Sequence, residues 1–199
     1  MSRKMSLGVA AALVMALAAQ PGQSQRFSDS YTFIQGVKER DGGKVEALVS
    51  VPGSTVINAK DGNGDGALHI VTRGRDRVWL SFLLGKGAKP DLPNRDGSSA
   101  LILASQLGWM EGAELLLRFK ANVDLANNRG ETPLIFAVHN RDVAMTRLLL
   151  GRGANPKRTD SVAGYSALDY ARQDKRAAAV LKLLEAPPAP SKPVAGPKL

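Results

Sequence analysis

The sequence predicts an all-α solenoid of helix-turn-helix units with short β-hairpin fingers. The first observation is a glycine-led block that recurs four times, beginning at Gly64, Gly97, Gly130 and Gly164, with spacings of 33, 33 and 34 residues. The second is a block of paired leucines that keeps the same phase behind each glycine. A fixed period in this range is typical of stacked repeats, in which each unit buries its apolar face only against its neighbours.

The N-terminal residues 1–24 have the layout of a secretory signal peptide. Arg3 and Lys4 form a basic start, residues 7–19 are an uninterrupted apolar run, small residues follow, and no acid occurs. The run is shorter than the roughly 20 residues that span a bilayer, and a buried N-terminal helix is the alternative interpretation. Cleavage after Ala18 and cleavage after Ser24 both fit the pattern. The predicted mature chain is periplasmic or secreted and carries no integral membrane segment.

The folded domain is predicted to extend over residues 27–185. It begins with a degenerate repeat at residues 27–60, and four further repeats begin near residues 61, 94, 127 and 161. Residues 186–199 hold five of the eleven prolines, a composition that predicts a disordered tail.

The first helix of each repeat is predicted to begin at a hydroxyl side chain. Ser99, Thr132 and Ser166 stand where an N-cap would satisfy the free N–H groups of the first turn. Pro133 follows Thr132 at the first helical position, where the absence of an N–H costs nothing. These residues therefore fix the phase of the first helices.

The second helices are predicted to carry denser apolar faces, with Trp79 in the core. Gly87 and Gly153 stand where a left-handed residue would end the second helix. Lys120 occupies that place in the intervening repeat, which predicts a less sharp helix end there.

These blocks resemble the ankyrin repeat, whose 33-residue unit contains a Gly-x-Thr-Pro-Leu-His opening and a later Leu-Leu-x-x-Gly-Ala block. Thr132, Pro133 and Leu134 match the opening intact, whereas the other copies relax it to Gly66-Ala67, Ser99-Ala100 and Ser166-Ala167. The resemblance covers roughly residues 30–185. It implies a non-enzymatic scaffold for protein-protein interaction, and it implies that His69 supports its loop by hydrogen bonds.

The composition excludes several chemistries. The chain has no Cys and only two His, so no disulfide scaffold, thiol nucleophile or Cys-ligated metal is available. We find no phosphate loop, dinucleotide fingerprint or Ser/His/acid set at a recognisable spacing, and we predict no cofactor and no metal site. The net charge of +9 comes from cations mixed with acids, and aromatic residues are 5% of the chain, so a nucleic-acid partner is not expected.

One stretch resembles the start of a calcium loop. Asp61, Asn63 and Asp65 follow the order of an EF-hand opening, but Thr72 occupies the place of the bidentate acid. The stretch is also in phase with the other inter-repeat turns. A turn is the favoured interpretation, and weak calcium binding is the alternative.

The ankyrin resemblance implies that a partner protein binds the hairpin tips and the exposed side of the first helices. Trp109, in the turn between the two helices of its repeat, is either a rim contact or a locally packed residue. The candidate partner-binding residues are Asn63, Asp65, Arg73, Arg95, Asp96, Ser98, Gln106, Leu107, Trp109, Asn128, Arg129, Glu131, His139, Asn140, Tyr165 and Gln173.

Two hypotheses from different classes follow. In the first, the chain is an exported scaffold and a monomer, and the resemblance implies that it modulates or protects a periplasmic enzyme. In the second, it is a secreted effector that binds a host protein. An enzyme of unfamiliar type would need a convergent polar site, which the sequence does not show.

Overall fold

The computed structural model describes residues 21–186. Ten α-helices occur in this part of the chain, and they are arranged in five consecutive pairs. The helices are α1 (Pro21–Glu39), α2 (Gly42–Val49), α3 (Ala67–Arg73), α4 (Arg77–Gly85), α5 (Ala100–Gln106), α6 (Met110–Arg118), α7 (Pro133–His139), α8 (Val143–Gly151), α9 (Ala167–Gln173) and α10 (Ala178–Glu185). Most of the predicted signal peptide and the tail beyond Ala186 lie outside the described residues.

The architecture is an all-α solenoid, as the sequence predicts. Each first helix packs against the first helix of the next pair, in the order α3, α5, α7 and α9, and each second helix packs on its own first helix. Strand structure within residues 21–186 is limited to isolated antiparallel bridges, Lys60 with Gly66 and Thr159 with Ser166, at the bases of the first and last hairpins. The extra residue in the last hairpin makes it longer than the first.

The core is continuous along the stack because every repeat places apolar residues in the same positions. Leu101, Leu134, Leu83, Leu116 and Leu149 are fully buried. The first pair, α1 with α2, covers the end of the core near Phe33 and Val45. No single pair could bury its apolar face alone, so stacking provides the stability.

The first helices begin at the predicted N-caps. The hydroxyl oxygens of Ser99 and Thr132 each accept the backbone N–H three residues later at 3.4 Å. Ser166 does the same for the N–H of Asp169 at 3.2 Å. These bonds satisfy donors that the helix itself leaves free.

The second helices begin at aspartates that the sequence analysis did not single out. Asp41, Asp76 and Asp142 each accept the N–H of the residue three positions later, at 2.9–3.1 Å. Trp109 occupies the same position in the second full repeat and makes no side-chain cap. An Asp immediately before an apolar helical segment is an N-cap signal that can be read from the sequence.

The prediction of a less sharp helix end at Lys120 is wrong. Lys120 has φ +65°, in the same left-handed region as Gly87 at +91° and Gly153 at +89°. The N–H of Ala121 donates to the carbonyl of Leu116 at 3.0 Å, the same bond that closes the other two helices. Because the next alanine is buried in each repeat, packing holds the turn and the lysine accepts the unfavourable backbone conformation.

Candidate functional site

Each hairpin is shaped by an Asp or Asn at its first residue. Asp61, Asn94, Asn127 and Asp160 recur every 33 residues. Asn94 Oδ1 accepts the N–H groups of Asp96 and Ser98 at 3.0 and 2.9 Å, and the other three residues make equivalent bonds. Such side chains close a tight turn by hydrogen-bonding the backbone just ahead, so the tip of every hairpin is preorganised.

Neighbouring hairpin tips are also bonded to each other. The N–H of Asn128 donates to the carbonyl of Asp96 at 3.0 Å, and the N–H of Ser161 donates to the carbonyl of Arg129 at 2.8 Å. The guanidinium of Arg95 donates to the carbonyl of Gly62 at 2.6 Å. The tips therefore form a connected row rather than independent loops.

His69 has a structural role, as the resemblance implies. It is 1% exposed. Its Nδ1 accepts the N–H of Gly66 at 3.0 Å, so Nε2 carries the proton and donates to the carbonyl of Ser98 at 2.9 Å. Burial lowers the pKa of His69 because the charged imidazolium would be desolvated. The ring links two successive hairpins in its neutral form.

Two carboxylates of the first hairpin stabilise its conformation through hydrogen bonds and ion pairs. Asp61 Oδ1 accepts the N–H groups of Asn63 and Asp65, and Oδ2 accepts from Lys38 at 3.1 Å. Burial opposes ionisation of Asp61, but these hydrogen bonds outweigh it and lower its pKa. Asp65 pairs with Arg73 at 3.2 Å. Within the described residues no group of three His, Asp or Glu side chains converges on a cation position, and the turn interpretation describes this hairpin.

Four candidate partner-binding residues are buried: Asp65, Ser98, Trp109 and Glu131. Glu131 accepts from Arg129 at 2.9 Å and from Asn127 at 2.8 Å, so its carboxylate stabilises its own hairpin. Their side chains are therefore not available to a partner, which corrects the expectation from the repeat pattern.

The surroundings of Trp109 decide between the two interpretations that the sequence left open. Its ring lies directly over Gly112, where an added Cβ would be 2.1 Å from a ring atom. The residue as a whole is only 6% exposed. Trp109 is thus packed locally, the alternative that the sequence left open.

The other twelve candidates lie at the surface and define what we call the recognition surface. The half-buried member is Leu107, and the exposed members are Asn63, Arg73, Arg95, Asp96, Gln106, Asn128, Arg129, His139, Asn140, Tyr165 and Gln173. The second and third hairpins border a cavity of about 380 Å³ that includes Asp96, Gln106 and Arg129. Asn140 donates to the carbonyls of Ser105 and Gln106, which joins two first helices across this surface.

An aromatic cluster lies at the C-terminal end of the recognition surface. Tyr170 makes edge-to-face contacts with His139, at 4.5 Å between ring centroids, and with Tyr165, at 5.5 Å. His139 also contacts Phe136 at 6.5 Å. Val138, His139, Tyr170, Gln173 and Asp174 line a cavity of about 490 Å³ beside the cluster.

A hydrogen bond holds the centre of this cluster. The Tyr170 hydroxyl donates to Asp160, the residue that shapes the last hairpin. This bond to a carboxylate raises the pKa of Tyr170 to about 12. Sequence reasoning missed Tyr170, although it stands where the other repeats have Ile70, Leu103 and Phe136. A hydroxylated aromatic at an otherwise apolar position was the available signal.

Within residues 21–186, no helix has both the length and the apolar character needed to cross a bilayer.

Comparison with known proteins agrees with this architecture. A family model described as ankyrin repeats, in three copies, matches residues 68–160 and 111–191, which together are more than half of the chain. An ankyrin repeat-containing protein of Treponema pallidum is 35% identical over 114 residues, which are 57% of this chain and 38% of that protein. The B-cell lymphoma 3 protein homolog of Mus musculus is 33% identical over 132 residues, 64% of this chain and 29% of its own.

A third relative is the transient receptor potential cation channel subfamily A member 1 of Homo sapiens. It is 33% identical over 106 residues, 49% of this chain and 10% of the channel. The chain thus spans well under half the length of each of these relatives.

Proposed function

The chain belongs to the ankyrin repeat family, and from that premise we propose that it is an exported scaffold that binds a partner protein through the recognition surface. The family is generally a non-enzymatic interaction module, and its repeats indicate a scaffold for protein-protein interaction. Export and the identity of the partner are our proposal.

The aromatic cluster is the observation that supports this proposal most directly. Tyr165 is 41% exposed, yet its ring is fixed against Tyr170, which Asp160 holds in turn. A rigid, partly exposed aromatic group gives a large contact area without much loss of conformational entropy on binding. The cavity beside it suits an apolar or aromatic side chain of a partner.

The charges around the cavity are largely neutralised by internal pairs. Asp174 accepts from Arg141 at 2.6 Å and caps the following turn through the N–H of Arg176. An unpaired charge would make burial of an apolar side chain costly, and this pairing removes much of that cost. Gln173 lines the cavity and Asn140 follows His139 in the chain. Such polar side chains form the rim that interfaces commonly have around an apolar centre.

The proposed role in the cell rests on the N-terminal pattern and on the family resemblance. A signal-peptide layout supports export to the periplasm, where such a scaffold would modulate or protect an enzyme. Cell fractionation of the producing organism, with mass spectrometry of the N-terminus, tests the export. Accumulation in the medium rather than the periplasm would favour the alternative, a secreted effector that binds a host protein.

Affinity capture from the periplasmic fraction tests the binding surface. We expect the wild-type chain to retain a partner that a His139→Ala/Tyr165→Ala variant loses. Val78→Ala is the matched control, because Val78 is an apolar side chain 76% exposed on the second helix α4. Retention of the same proteins by all three baits would contradict the assignment of the site.

A further inference from the structure

Three loops that follow the second helices are stacked side by side along one edge of the solenoid. They are residues 85–92, 118–125 and 151–158, which occupy equivalent places in successive repeats. The N–H of Asn122 donates to Asp91 at 2.8 Å, and the N–H of Asn155 donates to Asp124 at 3.0 Å. These bonds connect each loop to the next, so the three loops form one continuous surface.

This surface is strongly cationic. Its exposed cations, which we call the basic edge, are Lys86, Lys89, Arg118, Lys120, Arg152, Lys157 and Arg158. The acids within the three loops, Asp91 and Asp124, are half-buried and are occupied with the backbone of the next loop. Lys86 pairs with Glu46, and it is the one member with an ion pair to another described residue.

The spacing of the repeats makes these charges act together. Packed helices lie about 8–10 Å apart, so three loops extend over about 20 Å. Neighbouring loops are therefore within about one Debye length of each other at physiological salt. A flat anionic surface would be attracted to the whole row rather than to single residues.

The middle loop departs from the repeat pattern at three consecutive exposed positions. Arg118 stands where the flanking repeats have Gly85 and Gly151, and Lys120 stands where they have Gly87 and Gly153. Lys120 keeps the left-handed φ of +65° in spite of its side chain. Three arginines outside these loops share this backbone conformation, so the feature specific to the middle loop is its added charge.

The third departure is an aromatic side chain at the centre of the row. Phe119 is 38% exposed and stands where the flanking repeats have Lys86 and Arg152. An exposed aromatic ring with cations on both sides is the arrangement of peripheral membrane-binding surfaces, because the ring enters the interface while the cations meet lipid phosphates.

We propose that the basic edge binds an anionic phospholipid surface, with Phe119 inserted among the headgroups. An exposed ring between cations in a row that crosses three loops fits a membrane plane better than an acidic protein, because the headgroup layer accepts the ring and its phosphates meet the cations. The basic edge shares no residue with the recognition surface. If the membrane proposal failed, the proposed function would be unaffected. The two surfaces are separate, so the chain could bind a partner protein while it lies on a membrane.

Co-sedimentation with vesicles tests the proposal with the full chain. The vesicles are phosphatidylcholine alone or phosphatidylcholine mixed with phosphatidylglycerol. The readout is the ratio of the two partition coefficients, and all variants share the same N-terminal residues, so the contribution of residues 7–19 is common to all of them. We expect the wild-type chain to prefer the anionic vesicles and to lose that preference at high salt.

Charge-matched variants locate the site. Arg118→Gln/Lys120→Gln/Arg152→Gln should lower partition onto anionic vesicles about a hundredfold, since each cation near such a surface contributes about a fivefold factor. Lys60→Gln/Lys175→Gln/Arg176→Gln is the control, because it removes the same charge from exposed positions outside the basic edge. Equal loss in the two triple variants would overturn the proposal.

A third comparison separates lipid from other anions. Phe119→Ser should weaken vesicle binding severalfold and leave binding to poly-L-glutamate unchanged, because only a lipid interface accepts the ring. If Phe119→Ser weakened binding to poly-L-glutamate as much as binding to the vesicles, or weakened neither, the ring would not enter a lipid interface and the lipid proposal would be wrong. Circular dichroism of each variant verifies that the helices are intact.

Discussion

Gly97 and Asn128 approach so closely that no side chain fits between their hairpins. A Cβ atom on Gly97 would lie 2.7 Å from the backbone nitrogen of Asn128 and 2.3 Å from its side-chain oxygen. The contact exists because the N–H of Asn128 donates to the carbonyl of Asp96. We therefore expect Gly97→Ala to separate two adjacent hairpins.

Gly164 provides a matched control for this substitution. It has φ +71°, similar to the +77° of Gly97, but nothing lies within 4 Å of the position of its Cβ. Gly164→Ala should cost only the left-handed strain, about 1 kcal/mol of unfolding free energy, whereas Gly97→Ala should cost about 3 kcal/mol. Urea denaturation measures both. Equal losses would show that the hairpins separate without cost.

The repeat phase made most of the fold predictable from the sequence. The capping and core positions are the same in all four copies of the block, so Ser99, Thr132 and Ser166 were identified together. A boundary that is unclear in one copy can be placed from the other three. The aromatic cluster was less accessible, because it depends on rings from two repeats, Tyr170 and His139, that meet only when the repeats are stacked.

Side-chain orientation limited the prediction of the candidate site. Glu131 and Arg129 are two residues apart on one hairpin, yet one carboxylate is buried and the guanidinium beside it is exposed. The burial of Trp109 depends on the absence of a side chain at Gly112. A repeat alignment places a residue on a tip or in a turn but does not give the direction of its side chain.

The burial of His69 leads us to expect that the folded chain loses stability in mild acid. Its folded-state pKa lies below the ordinary 6.5 because burial disfavours the imidazolium. The unfolded chain therefore binds more protons, and stability that is complete above pH 6.5 is lost as the pH falls toward the folded-state pKa. The loss should reach at most about 1.4 kcal/mol per pH unit, as measured by urea denaturation between pH 8 and about pH 4.5.

Two variants assign this pH dependence. His69→Gln should be less stable at pH 8 by about 1–3 kcal/mol, because a buried bonding partner is lost, but its curve should be flatter below pH 6.5. His139→Gln removes the other histidine, and this variant should still show the loss of stability below pH 6.5 that His69 causes. The aspartates with lowered pKa values, such as Asp61, lose their stabilising contribution mainly below about pH 5, and both variants retain these aspartates. A His69→Gln curve as steep as that of wild type would rule out this origin.

The left-handed backbone of Lys120 leads us to expect that glycine at this position stabilises the chain. Because its φ is +65°, glycine removes a left-handed penalty of about 1–2 kcal/mol and costs some additional unfolded-state entropy. Lys120→Gly should therefore raise the unfolding free energy by about 0.5 kcal/mol. Lys120→Ala is the control, since it removes the charge and retains the strain. If alanine stabilised as much as glycine, repulsion along the basic edge would be the cause instead.

Tyr170 predicts an alkaline loss of stability that originates at a single hydroxyl. Its hydrogen bond to Asp160 raises its pKa from 10.0 to about 12, so the stabilisation is complete below pH 10 and is lost as the pH rises through 12. Tyr170→Phe should cost about 1 kcal/mol at neutral pH, and its difference from wild type should narrow above pH 10. Absorbance of tyrosinate follows the ionisation directly: the latest-ionising tyrosine should be absent in Tyr170→Phe and present in Tyr165→Phe. If one tyrosine of Tyr170→Phe still ionised near pH 12, the strong hydrogen bond would belong to another tyrosine. The claim that Asp160 holds the aromatic cluster rigid would then be wrong.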